Sequence, residues 1–192
     1  MRIVLASASP ARLRLLRSAG LDPEVVVSGV DESSVDTDDP AKLCVELAQL
    51  KCRSVAVDHR DGLVIGADSV LEFDGRILGK PGDADTARER WREMRGAAGV
   101  LHTGHAVSFG DEEVSRHVST RVHFAQLTDA EIDAYVATTE PLEVAGAFTI
   151  DGYGGAFIER IEGDHHNVIG LSLPTLRHLV ADLGLTWTEL WV

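Results

Sequence analysis

Leu63-Val64-Ile65-Gly66-Ala67-Asp68-Ser69-Val70-Leu71-Glu72-Phe73-Asp74-Gly75-Arg76-Ile77-Leu78-Gly79-Lys80-Pro81 is the stretch on which the reading of this chain turns. Its apolar run, residues 63–67, is continuous rather than alternating, which predicts a strand buried on both faces. The run leads to Asp68, an acid at the expected C-terminal edge of a core strand, and in open α/β sheets ligands sit beyond such edges. Asp74-Gly75 predicts a tight turn between two extended pieces, residues 70–73 and 76–78. The hairpin delivers Lys80, whose backbone the following Pro81 restricts. One compact strand-and-hairpin unit thus carries an acid and a base. A plainer reading is open on this stretch alone: a strand that ends in an acid, then an ordinary surface lysine.

The rest of the chain bounds the setting. Its 192 residues suffice for one large domain or two tightly joined lobes. With 44% hydrophobic and 26% charged residues it can bury a core. A net charge of −13 argues against sequence-independent duplex binding, yet a locally basic pocket on an acidic body can still take a small anion. Cys44 and Cys52 fall in one expected helix, about 12 Å apart at 1.5 Å per residue and beyond disulfide reach. With no Cys/His zinc pattern, a reducing compartment is the default. The first residues form a short strand rather than a signal peptide, and no apolar run nears the roughly 20 residues of a membrane span. The expectation is a cytoplasmic chain that engages neither membrane nor stable nucleic acid.

In chain order, residues 3–6 predict a strand and Ser7-Ala8-Ser9-Pro10 the turn after it, with Ser9 as N-cap and Pro10 at the first helical position. Such a helix start presents backbone N–H groups and the positive dipole end, a ready anion site that Arg12 is close enough to join. Arg12, Arg14 and Arg17 are explained equally well by a solvated basic face. Residues 24–28 predict a second strand leading to Asp31-Glu32, a carboxylate pair suited to a metal or to an ordinary acidic loop. Asp39-Pro40 opens a helix over residues 41–57 with an apolar stripe of Leu43, Leu47 and Leu50, and with Lys51 at its border. Lysines so placed often only snorkel; near an anion pocket Lys51 would hold phosphate.

Residues 83–95 predict a charged helix with Ala84, Ala87, Trp91 and Met94 on its inner face. Two long strands, residues 100–109 and 114–124, form a hairpin at Gly110-Asp111, with His102, His105, His117 and His123 read as polar-face residues. Thr128 and Glu131 make a capping box for a helix through Ala137. A small-residue tract over residues 145–156 implies close backbone approach or tight turns, and Asp151 is its only charged side chain. Residues 163–167 predict a polar loop, and Pro174 starts a last helix to Leu183. No repeat, low-complexity tract or linker appears, so residues 1–192 are read as a single domain.

With these pieces side by side, the chain resembles the Maf family of nucleoside triphosphate pyrophosphatases over nearly its whole length. The likeness rests on Leu5-Ala6-Ser7-Ala8-Ser9-Pro10-Ala11-Arg12, Val30-Asp31-Glu32, Ala48-Gln49-Leu50-Lys51, Gly66-Ala67-Asp68-Ser69 and Ile77-Leu78-Gly79-Lys80-Pro81. Residues 145–152 and Asn167-Val168-Ile169-Gly170-Leu171 cover the C-terminal signatures. No one motif is decisive; their order is highly specific. The resemblance implies a mixed, twisted α/β sheet with flanking helices and two joined lobes around a cleft. It implies hydrolysis of a nucleoside triphosphate between the α and β phosphates, a divalent metal (Mg²⁺ or Mn²⁺), and commonly a homodimer. On the matched positions it makes Asp68, Glu32, Lys51 and Lys80 catalytic, Glu32 and Asp68 metal ligands, and Ser7, Ser9 and Arg12 phosphate contacts.

Departures bear on the base. Ala11 stands where the family has its first arginine, Ser69 where it has threonine, and Asp151 where the thymidine- and uridine-triphosphate variant has glutamine. Gly99 replaces a usual histidine. Ala11, Ser69 and Asp151 are therefore the expected positions of substrate choice, toward pyrimidine or modified nucleotides, and Asp151 can accept hydrogen bonds from base amino or imino groups. The competing reading is a nucleotide-sensing module in cell-division control, with binding and no turnover. Retention of Glu32, Lys51, Asp68 and Lys80 together favours the enzyme, since a module that only binds has no need of the full set.

Overall fold

Capped helices alternate with strands in the computed structural model, which describes residues 1–192 throughout. The strands are β1 (Ile3–Leu5), β2 (Glu24–Val25), β3 (Leu63–Phe73), β4 (Arg76–Leu78), β5 (Ala98–Phe109), β6 (Glu112–Phe124) and β7 (Ile158–Glu162). They hydrogen-bond in the order β2-β1-β3-β5-β6-β7, with β4 added to β3. Parallel pairing of β1 with β2 and β3, and antiparallel pairing of β3 with β4 and of β6 with β7, make the sheet mixed, as expected. Six helices accompany it: α1 (Pro10–Ser18), α2 (Pro40–Ala56), α3 (Ala84–Met94), α4 (Asp129–Ala137), α5 (His165–Ile169) and α6 (Leu173–Asp182). None is long and apolar enough to cross a membrane.

The starts of α1, α2, α3, α4 and α6 follow local chemistry. Ser9, Asp39, Asp83, Thr128 and Ser172 each accept a backbone N–H of the first turn, and Pro10, Pro40 and Pro174 sit where their missing N–H costs nothing. Thr128 and Glu131 form the full reciprocal capping box.

Three expectations change. β3 does not stop before Asp68 but runs on through it to Phe73, because Leu71, Glu72 and Phe73 continue the ladder opposite Leu78, Ile77 and Arg76. A backbone ladder is indifferent to a polar side chain at one position, so Asp68 lies inside a strand. The Val-rich stretch after Leu21 is a strand only at Glu24 and Val25, both exposed, with one more bond to β1 from the Val26 N–H to the Leu5 carbonyl at 3.1 Å. The 163–167 loop contains a short helix, α5, where the Asp164 carboxylate accepts the His166 N–H at 2.9 Å.

The chain divides into two compact units: Met1–Asp68 with Thr103–Val118 and Gly170–Val192, and Ser69–His102 with Ser119–Ile169. A core cluster of the first is small and aliphatic: Val4, Ala6, Ala48, Cys52, Val55, Val64 and Ala106. The second closes around Trp91, fully buried, with Phe124, Tyr135 and Phe157 edge-on at ring separations of 5.6, 5.5 and 6.0 Å. Its indole N–H donates to the Ala147 carbonyl at 2.7 Å, so the aromatic is core as expected and its one polar atom is satisfied.

In the first unit two glycines bring α2 onto the sheet. A Cβ at Gly66 would overlap the Ala48 carbonyl oxygen and Cys52, and one at Gly104 would overlap the Cys44 carbonyl. The helix therefore packs through its small residues, Cys44, Ala48 and Cys52, together with Leu47; of the expected leucine stripe Leu47 is buried, while Leu43 and Leu50 are only half-buried. Lys51 consequently lies within the buried face and not at its border.

Candidate active site

β1 delivers the chain to Ser7, and the turn into α1 is held by short hydroxyl contacts. Ser7 Oγ accepts the Ser9 N–H at 3.2 Å, and Ser9 Oγ accepts the Arg12 N–H at 3.4 Å. Arg12 is buried, unlike the exposed Arg14 and Arg17, so a solvated basic face accounts for only part of this helix. Its Nη1 donates to Ser7 Oγ at 3.1 Å and to the Ala67 carbonyl at 2.7 Å, while Nε donates to the Gly170 carbonyl at 2.8 Å. One guanidinium thus fastens the turn before α1, the residue preceding Asp68 and the turn preceding α6. Burial pulls its pKa down and Asp68 chiefly pulls it back; an arginine so placed keeps its charge. Ala11, beside it, is half-buried and brings no charge.

The close seating of α2 at Gly66 places Lys51 over β3. Its Nζ lies 2.5 Å from Asp68 Oδ1 and 2.7 Å from Glu32 Oε1. The Lys51 and Asp68 side chains are 11% and 12% exposed, whereas Glu32 is 56% exposed. Glu32 is held in place by a one-turn 3₁₀ helix, Glu32–Ser34, whose preceding Asp31 accepts the Ser33 N–H at 3.0 Å. Burial pushes the Asp68 carboxyl up, and the opposing pull of Lys51 and Arg12 does not cancel it. A carboxylate with a raised pKa is a better proton acceptor than an ordinary aspartate. The two carboxylates converge on one point, at which the ammonium now sits. Three of the four expected catalytic residues, Glu32, Lys51 and Asp68, are therefore in direct contact, with Arg12 and Ser7 bonded around the residue before Asp68.

The remaining residues belong to the second unit. Lys80 is 63% exposed, with Nζ 3.6 Å from Glu143 Oε2, also exposed. Ser69, next to Asp68 in β3, is half-buried, and Asp151 is exposed in the small-residue tract. No group of three or more His, Cys, Asp or Glu side chains is arranged as a metal cage. The hairpin histidines part company: His117 is exposed and His123 half-buried, but His102 is buried beside Glu72, Nε2 to Oε2 3.0 Å, and His105 Nε2 accepts the Ser172 N–H at 2.8 Å. The polar-face reading is corrected for these two. A strand turned inward on both faces buries whatever it carries, and here carboxylate and backbone partners compensate them.

Sequence reasoning missed three contributors. Gly66 and Gly104 set the height of α2, and glycine inside a strand is a general signal of close backbone approach. Glu140 accepts four hydrogen bonds around the small-residue tract; nothing in its local sequence distinguishes it from its acidic neighbours.

Known proteins resemble this chain over nearly its whole length. The family model described as Maf-like protein matches residues 2–183. A protein of Salinispora tropica named nucleoside triphosphate pyrophosphatase is 57% identical, with 100% of this chain and 88% of that protein covered. One of the same name from Streptomyces coelicolor is 58% identical over 99% of this chain and 94% of its own length. One from Microcystis aeruginosa is 49% identical over 98% of each. Among solved structures the Staphylococcus aureus Ham1 protein superposes with a TM-score of 0.51 at 14% identity, covering 95% of this chain and 100% of that one; this likeness concerns the fold alone.

Proposed function

The chain belongs to the Maf-like protein family, and from that premise we propose that it is a nucleoside triphosphate pyrophosphatase, cleaving between the α and β phosphates to release monophosphate and pyrophosphate. The observation that supports this most is the buried Asp68–Lys51 pair, shared with Glu32 and braced by Arg12. Attack of water on a phosphate requires positive charge on the phosphate oxygens and a positioned nucleophile, with little covalent work. Lys51 supplies a point charge, and the turn from Ser7 and Ser9 into α1 supplies N–H donors and the positive dipole end. Asp68, its pKa raised by burial, orients the attacking water and takes its proton, while Lys51 stabilises the carboxylate until then.

The donor set also fits a divalent cation. Glu32 and Asp68 already converge on one cationic atom, and two carboxylates with open positions suit an ion that keeps several waters, as Mg²⁺ does. Bound there, Mg²⁺ or Mn²⁺ would neutralise phosphate charge and acidify a water. In this reading Lys80 also acts in catalysis, and Ser69, Ala11 and Asp151 lie at the substrate. Asp151, an acceptor where the thymidine- and uridine-triphosphate variant has an amide, selects among pyrimidine or modified bases. A cytoplasmic homodimer acting as one functional domain over residues 1–192, which keeps such nucleotides out of nucleic acids, completes the reading.

The test is a panel of normal and modified triphosphates with Mg²⁺ or Mn²⁺. Pyrophosphate and monophosphate appear in equal amounts if the bond is correctly assigned, and release of orthophosphate alone refutes it. Asp68→Asn folds but does not turn over; near-native turnover removes Asp68 from the mechanism. Nucleotide binding without turnover under every metal would favour the cell-division module instead.

A further inference from the structure

The most heavily hydrogen-bonded carboxylate of the second unit belongs to Glu140, on the turn after α4. Its Oε1 accepts from Tyr135 Oη at 3.0 Å, Thr149 Oγ1 at 2.5 Å and Gly154 N at 2.9 Å, and its Oε2 accepts from Tyr153 N at 2.9 Å. Tyr135 Oη in turn accepts the Thr149 N–H at 3.3 Å. These donors come from α4 and from both ends of one loop, residues 149–154. The loop is drawn tight around the acid: a Cβ at Gly152 would run into the Glu140 carboxylate and one at Gly154 into Tyr135 Oη. Only glycine allows that approach. Burial pushes the Glu140 carboxyl up, but the bonds from Thr149, Gly154, Tyr153 and Tyr135 outweigh it and hold its pKa below the ordinary value. It remains an anion. The loop's ends are thereby fixed, and what it presents outward is its tip: Asp151 is exposed and Tyr153 is 70% exposed.

We propose that Glu140 is a positioning residue for nucleotide selection, its carboxylate being the anchor that holds the 149–154 loop so that Asp151 meets the base in one geometry. This rests on the reading of Asp151 as a base-selecting residue. The chemistry demands an anion. Four donors converge on two oxygens, which a carboxylate can accept, whereas a glutamine amide would turn an N–H group against the Tyr153 N–H or against the Thr149, Tyr135 and Gly154 donors. An isosteric Glu140→Gln change therefore frees one end of the loop without emptying any volume.

The experiment measures the ratio of kcat/KM between the best and worst triphosphates of the panel for wild type, Asp151→Asn, Glu140→Gln, the double variant and Tyr135→Phe. Amide hydrogen exchange is followed in parallel. Loss of one charge-assisted bond corresponds to about tenfold, so Glu140→Gln should lower the ratio about tenfold, through KM, with kcat for the best substrate nearly unchanged. Asp151→Asn should lower the ratio as much or more, and the double variant no further. The Tyr153 and Gly154 amides should exchange faster in Glu140→Gln while amides around Trp91 do not. Tyr135→Phe, which removes one donor and leaves the ring in the core, should shift the ratio in the same direction and less, and it decides the matter if Glu140→Gln does not fold. An unchanged ratio in Glu140→Gln with the loop amides deprotected overturns the proposal, as do additive effects in the double variant, provided Asp151→Asn moves the ratio. If Asp151→Asn leaves the ratio unchanged, the reading of Asp151 itself fails and the anchor's role in selection falls with it.

Discussion

Replacing Lys51 by methionine isolates the energetics of the buried pair. The substitution keeps the length of the side chain and removes the ammonium 2.5 Å from Asp68, a carboxylate only 12% exposed. Asp68 then has two courses. Left ionised, it carries the penalty of an unpaired buried charge, about 3–5 kcal/mol. Protonated, it carries the cost of binding a proton above its unfolded pKa of about 3.9, which at 1.36 kcal/mol per unit is about 5 kcal/mol at pH 7.5 and about 2 kcal/mol at pH 5.5. The cheaper course sets the deficit, so Lys51→Met should be about 3–5 kcal/mol less stable than wild type at pH 7.5 and no more than about 2 kcal/mol less stable at pH 5.5. The sign follows from linkage: with the folded pKa of Asp68 above its unfolded value, the variant is best off below the unfolded pKa and loses stability as pH rises through the folded one. Glu32, 56% exposed, solvates itself and adds little. Lys51→Met/Asp68→Asn lacks the carboxyl and with it the pH-dependent loss at this position, so the gap by which Lys51→Met falls below the double variant should widen from pH 5.5 to pH 7.5. Urea unfolding followed by circular dichroism at the two pH values measures all three proteins. Equal deficits for Lys51→Met at both pH values, or a gap between Lys51→Met and the double variant that does not widen with pH, would refute the argument.

Other expectations follow from the same packing. Gly66→Ala puts a methyl into the Ala48 carbonyl and Cys52; it should cost about 1–3 kcal/mol by overpacking and lower turnover by lifting Lys51 from Asp68, read by unfolding and by activity, and wild-type values in both would show that α2 is not seated by this glycine. Burial pushes the Cys52 thiol up to about 11, so iodoacetamide at pH 8 should leave it unmodified in the folded protein and alkylate it in urea; modification of folded protein at the rate of a free thiol would contradict the burial. Glu140 titrates below its ordinary 4.5, so its contribution to stability is complete above that value and is lost as pH falls through the depressed folded pKa. The Tyr153 and Gly154 amides, its donors, should lose exchange protection in acid before the amides around Trp91 do, and loss later than those would count against it.

Helix starts were legible because a cap is local: Ser9, Asp39 and Thr128 each act within a few residues. Trp91 was legible as core because its neighbours at helical spacing, Ala87 and Met94, were apolar. The extent of β3 was not, since whether a strand continues past Asp68 depends on β4 pairing with Leu71 to Phe73. Nor were the partners of His102 and His105, which come from β3 and from the residue before α6. Glu140 escaped notice for the same reason: its significance lies in donors 9 to 14 residues further on and in a tyrosine behind it.

What the sequence determined by itself was a set of chemical types in order: the Ser-Pro turn with Arg12, the acid Glu32, the lysines Lys51 and Lys80, and the acid Asp68. Side-chain chemistry and short-range turn preferences are properties of the residues themselves, so order and type alone carried the family and the class of reaction. Only the tertiary structure decided which of them meet. Gly66 lets α2 descend onto β3, and that descent places the Lys51 ammonium against Asp68 and buries both, raising the pKa of the acid on which the reaction is proposed to turn. The stretch from Leu63 onward held Asp68 in view from the start. Its partner came from a helix twelve or more residues earlier, through a contact between backbones that no local pattern encodes.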